Sequence, residues 1–114
     1  ILCYPVITSG EYAHKGSFNA LCGEDNEELK KKLSLETRVT ADTAPAFLWH
    51  TANDNAVPVQ NSILFANEMA KYNIPFELHI FRDGRHGLGL APENPDVAEW
   101  TSLCKTFLKN MGWA

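Results

Sequence analysis

Apolar positions along this chain follow two periods, one suited to strands and one to helices. Residues 1–7, Ile-Leu-Cys-Tyr-Pro-Val-Ile, are almost all apolar, as in a strand covered on both faces. Pro5 has no donor for a ladder and belongs at an edge or unpaired position of that strand. The stretch "TSGEYAHKGSFNALCGED" has no period and reads as a lid-like loop with a brief turn at Phe18–Leu21. "DNEELKKKL" is a surface helix: Asp25 and Glu28 are spaced as a capping box, and only Leu29 and Leu33 mark an apolar stripe. "TADTAP" links it to "AFLWHTA" (46–52), a short apolar strand.

"NDNAVP" then turns the chain into 59–72, where Leu64, Phe65, Met69 and Tyr72 recur at helical spacing until "NIP" ends the pattern. In "PFELHIF" (75–81), Phe76, Leu78 and Ile80 alternate onto one face of a strand. The last helix falls in "NPDVAEWTSLCKTFLKNMG", capped by Asn94 or Asp96, with Val97, Trp100, Leu103, Phe107 and Met111 on its buried side. Strands alternating with helices predict an α/β fold: three parallel strands joined by crossovers, with flanking helices. The 114 residues make one segment in three parts: 1–24 strand plus lid-like loop, 25–45 surface helix and linker, and 46–114 strand-helix-strand-helix.

Composition narrows the function. With 45% hydrophobic and 21% charged residues the chain can build a core, and one domain or part of one is all its length allows. The net charge of -4 and scattered basic residues argue against nucleic acid as a partner. No apolar run approaches the about 20 residues needed to cross a membrane. Cys3, Cys22 and Cys104 are odd in number and widely spaced, so we expect no disulfide framework or zinc site and a reducing, cytoplasmic compartment; Cys3 and Cys104 sit in apolar patterns, as small buried hydrophobes would. "ILCYPVI" lacks the basic n-region of a signal peptide and starts without Met, as a fragment or processed product would.

Ligands of an open parallel sheet bind beyond the carboxyl ends of its strands. Two segments leave strands there: "TANDNAVP" after Thr51 and "RDGRHGLG" after Phe81. Neighbouring strands lie about 4.8 Å apart, so Asp54 and His86 would leave the sheet side by side. A carboxylate bonded to one imidazole nitrogen fixes the tautomer and frees the other nitrogen to take a proton. Taken singly, Asp54 is a good Asx-turn residue and His86 a loop histidine satisfied by backbone. As a pair at adjacent strand ends they point to catalysis. His50 reads as a buried, hydrogen-bonded strand residue, His79 as structural beside Glu77, His14 as a loop residue and Asn53 as shaping its own turn. A metal site from His50, Asp54 and His86 would lack any short-spaced ligand pair. Trp49, Trp100 and Trp113 read as packing residues.

The two stretches "FLWHTANDNAVPVQNS" and "PFELHIFRDGRHGLGL" together resemble the C-terminal part of serine hydrolases of the α/β-hydrolase fold. The likeness is to the dienelactone hydrolase and prolyl oligopeptidase-like branch, and within it to small acetyl or acetylxylan esterases. It runs back through "YPVITSGEYAHKGS" and covers essentially the whole chain. The family's D-x-x-V-P turn is matched by Asp54, Val57 and Pro58, which implies that Asp54 is the triad acid. Its F-x-x-G-x-H-G is matched by Phe81, Gly84, His86 and Gly87, which implies that His86 is the triad base.

The nucleophile elbow G-x-S-x-G does not occur. Ser9 is flanked two residues away by Ile7 and Glu11, and Ser17 by Lys15 and Asn19, side chains too large for that turn. The resemblance therefore implies a serine and oxyanion hole upstream of Ile1, supplied by the N-terminal part of the same hydrolase or by a partner chain. The complete enzyme would cleave carboxylic esters, acetyl groups on carbohydrate among them, without metal or organic cofactor. No paired carboxylates of a glycosidase are present. The alternative is a non-catalytic fragment or association module that completes a hydrolase only with a partner chain.

Overall fold

The computed structural model describes residues 1–114 and holds three parallel strands in spatial order β1-β2-β3: β1 (Leu2–Cys3), β2 (Ala46–Thr51) and β3 (Phe76–Phe81). Helices α1 (Lys15–Cys22) and α2 (Glu27–Lys32) and a 3-10 turn (Leu35–Arg38) lie between β1 and β2. Helix α3 (Gln60–Lys71) joins β2 to β3, and α4 (Pro95–Ala98) with α5 (Trp100–Asn110) follows β3. This is the expected α/β order.

β2 is the centre of the molecule. All six of its residues are buried, because it is paired on both edges and covered on both faces. Phe47 and Trp49 point to one side, where Val97, Cys104 and Phe107 complete a core under α4 and α5. Ala46 and Leu48 point to the other, against Val39, Met69 and Ile74. Burial holds the Cys104 thiol above its ordinary pKa, in keeping with a small core hydrophobe. The register pairs Thr51 with Phe81, so β2 and β3 end at the same level and their loops leave together.

Four local expectations change. The first strand shrinks from seven residues to Leu2–Cys3, because Tyr4 takes a left-handed φ of 39° that turns the chain away from β2 after its own amide has bonded Trp49 O, ahead of Pro5. The lid-like loop contains a true helix, α1, whose N-cap is His14: its Nδ1 accepts from the Ser17 amide. Asn26, not Asp25, caps α2, accepting from the Leu29 amide at 3.2 Å. The final helix is two pieces, capped by Asn94 through the Val97 amide.

Helix α3 also departs from its predicted stripe. Met69 is fully buried, but Leu64 and Phe65 are only half-buried and Tyr72 is exposed. Polar Asn61 and Ser62 are fully buried instead, because the first turn of α3 sits beneath the loops and its side chains satisfy buried polar groups there. Asn61 Oδ1 accepts from the Ile7 and Thr8 amides, and its Nδ2 donates to Tyr12 O.

This arrangement predicts opposite outcomes for two residues of one helical pattern. Met69→Ala should lower unfolding free energy by about 2–5 kcal/mol, whereas Tyr72→Ala should stay within about 0.5 kcal/mol. Equilibrium urea denaturation measures both; equal losses would mean the buried face of α3 is misplaced.

Candidate active site

The loop after β2 folds back on its own carboxylate. Asp54 Oδ1 accepts from the amides of Ala56 and Val57, each at 2.9 Å, the Asx-turn geometry that an aspartate two residues before a turn provides. Its other oxygen, Oδ2, lies 2.7 Å from His86 Nδ1. A carboxylate can only accept, so Nδ1 carries a proton, and in the neutral imidazole the lone pair is then on Nε2. The Asp54 side chain is sealed from solvent while that of His86 is 34% exposed. One end of the pair is fixed inside the protein and the other faces outward.

A second imidazole touches the same oxygen. His50 is fully buried at the end of β2, with Nε2 at 2.9 Å from Val57 O, 3.4 Å from Asp54 Oδ2, and Nδ1 at 2.7 Å from Ser62 Oγ. Val57 O must accept, so Nε2 carries a proton; in the neutral imidazole Ser62 then donates to Nδ1, and both nitrogens are satisfied. Burial is the main cause that holds His50 below the ordinary histidine pKa. Burial pushes the Asp54 carboxyl upward, but the Val57 amide, the His86 imidazole and the Ala56 amide outweigh it and hold the carboxyl below its usual value. Asp54 is therefore a buried carboxylate with donors on both oxygens.

The loop after β3 is tied to the loop after β2 by backbone clamps. Thr51 Oγ donates to Gly84 O at 2.7 Å, and Asn53 Oδ1 accepts from the Gly84 amide at 2.9 Å. Asn53 Nδ2 also reaches Asp83 Oδ1, and Asn94 Nδ2 donates to Asp83 O. A Cβ on Gly84 would lie 2.7 Å from Leu88 Cδ1 and 2.9 Å from Thr51 Cγ2, so any other residue would push those two side chains aside. Gly87, at φ 78°, then turns the chain directly after His86. Beyond it, Arg85 donates to the carbonyls of His86 and Gly87 and pairs with Glu93.

The expected pair Asp54 and His86 thus comes together, and His50 is the buried, hydrogen-bonded strand residue that the sequence suggests. Its contact with the acid is an addition. So is the role of Asn53, which bridges to the other loop instead of shaping its own turn. An i, i+4 pair of His50 and Asp54 spanning a strand end was the available signal; for Asn53 there was none. Ser17 Oγ contacts His14 Nδ1 and the Ser9 amide donates to Ser34, so neither serine bonds His86.

These features define the α/β-hydrolase fold, with a histidine and a buried acid at the carboxyl edge of a parallel sheet. The chain belongs to the prolyl oligopeptidase family, whose family model matches residues 5–112. It is similar to the acetyl ester-xyloside bifunctional hydrolase of Caldicellulosiruptor lactoaceticus, with 50% identity and a TM-score of 0.95 over 99% of this chain. A carboxylesterase of Lactobacillus plantarum superposes with a TM-score of 0.84 at 28% identity over 99% of this chain. Endo-1,4-beta-xylanase B of Butyrivibrio fibrisolvens is 47% identical over 93 residues, 80% of this chain. The chain spans 42% and 44% of those two structures and 14% of the xylanase.

The buried neutral histidine makes the fold acid-sensitive with a definite sign. An imidazole whose folded pKa lies below its unfolded value contributes stability above about pH 6.5 that is lost as pH falls toward the folded pKa. Stability should fall by up to about 1.4 kcal/mol per pH unit below that point, on account of His50. His50→Gln, less stable at neutral pH, should lack this component of the slope. Urea midpoints from pH 8 to 5 read it, and identical slopes for both proteins would contradict a neutral His50.

Proposed function

We propose that this chain carries the acid and the base of a serine carboxylic-ester hydrolase, acting on small esters that include acetylated carbohydrate. The observation that carries the reading is the 2.7 Å bond from His86 Nδ1 to a sealed carboxylate, with Nε2 on the exposed side. An imidazole held in that tautomer is ready to accept a proton from a hydroxyl at Nε2. Relatives described as a carboxylesterase and an acetyl ester-xyloside hydrolase support the substrate class.

In this reading the serine Oγ attacks the ester carbonyl as His86 Nε2 takes its proton. The tetrahedral intermediate collapses, and His86 returns the proton to the departing alcohol oxygen. Water then enters, His86 removes its proton, and hydrolysis of the acyl-serine releases the acid and restores the serine. Asp54 keeps its negative charge throughout and stabilises the imidazolium, which a carboxyl held below its usual pKa does at neutral pH. The reading assigns the serine to polypeptide outside these residues, arriving on the free edge of β1, so the 114-residue chain alone is inactive.

In the intact protein, hydrolysis of p-nitrophenyl acetate tests the assignment. His86→Ala should lower kcat/KM by about 10³-fold or more, and Asp54→Asn by about 10²–10⁴-fold, with little change in KM. A His86→Ala protein that keeps full activity would overturn the reading.

A further inference from the structure

The hydrogen bond to Asp54 fixes one axis of the His86 ring and leaves rotation about that axis free. The other restraint comes from β1. Tyr4 sits in the left-handed region at φ 39°, a conformation that costs energy for a bulky residue and calls for a local reason. Its amide still donates to Trp49 O at 2.7 Å, so the backbone is held in place while the side chain swings over the carboxyl end of the sheet. There the ring meets the His86 imidazole at a centroid distance of 4.7 Å and 67°, and the Trp49 ring at 4.9 Å and 90°.

The hydroxyl reaches the loop that follows. Tyr4 Oη accepts from the Gly89 amide at 3.2 Å, while the Gly89 carbonyl accepts from Trp100 Nε1 at 2.9 Å. Trp100 stacks on Trp49 at 5.5 Å and 20°. Tyr4, the His86 loop, Trp100 and Trp49 therefore form a closed circuit of contacts through one residue, Gly89. We propose that Tyr4 is a positioning residue for His86: its ring sets the plane of the imidazole and its hydroxyl anchors the loop, so that Nε2 points at the nucleophile. The inference rests on the reading of His86 as the base, but its geometry does not.

Two variants of the intact protein test it. Tyr4→Leu removes the ring and should lower kcat for p-nitrophenyl acetate about 10- to 100-fold with KM within about twofold, since misplacement of a reacting group by an ångström acts on the chemical step. The downfield NMR resonance of the His86 Nδ1 proton should broaden in that variant. Tyr4→Phe keeps the ring and the fold, and should speed hydrogen exchange at the Gly89 amide about tenfold. If Tyr4→Leu does not fold, Tyr4→Phe carries the test through Gly89 exchange. Wild-type exchange at Gly89 in Tyr4→Phe overturns the anchor. Wild-type kcat and an unchanged His86 resonance in Tyr4→Leu overturn the positioning role, and a change confined to KM makes Tyr4 a substrate contact instead. Should the wild-type protein cleave no ester, the esterase reading fails while the resonance and exchange measurements still decide the role of Tyr4.

Discussion

A carboxylate taken out of water must receive donors in exchange, and the region around Asp54 is organised by that requirement. Its side chain is sealed, so an unpaired charge there would be intolerable to the fold. Two backbone amides supply one oxygen and His86 supplies the other, with the His50 N–H close by. The tight turn to Val57 is a consequence, because only a chain that doubles back within three residues can bring both amides to one oxygen. His50 lies against this charge with its Nε2 proton on Val57 O and its Nδ1 beside Ser62, and burial is what keeps it neutral.

The rest of the site is a problem of aligning two loops. β2 and β3 end at the same register, which brings the loops to the same edge but does not aim a ring. Aim comes from side chains at the end of β2 bonded to the backbone of the other loop: Thr51 holds the Gly84 carbonyl and Asn53 its amide. Side chains at and just beyond the end of β2 thus hold the loop of His86, so that loop is tied to the most completely buried strand in the molecule. Rigid strands with functional residues on the loops beyond them are the usual division of labour in parallel sheets.

The sequence made the strands around the site readable because each is a compact apolar run, and it made Asp54 and His86 readable because the turn chemistry around them is distinctive. What it hid depends on contacts between distant segments. The length of β1 is set by the backbone of Tyr4, which turns away to meet His86 and Gly89, a relation that no local pattern records. Helix α1 escaped because its cap is a histidine and Gly16 stands in its first turn. Asn61 and Ser62 escaped because a polar residue at the start of an amphipathic helix is ordinarily solvated. Here the chain packs segments 7–12 and His50 over that turn, and both residues are fully buried. The buried core followed hydrophobic periodicity; the polar support of the site did not.

In the proposed function Asp54 and His86 serve a serine nucleophile lying outside these 114 residues. Labelling of the intact protein with a fluorophosphonate probe, followed by peptide mass analysis, tests it most directly. The expected result is one modified serine in a G-x-S-x-G sequence outside residues 1–114, with labelling strongly slowed by His86→Ala. An adduct on Ser9 or Ser17, or no adduct on a folded protein, would contradict it.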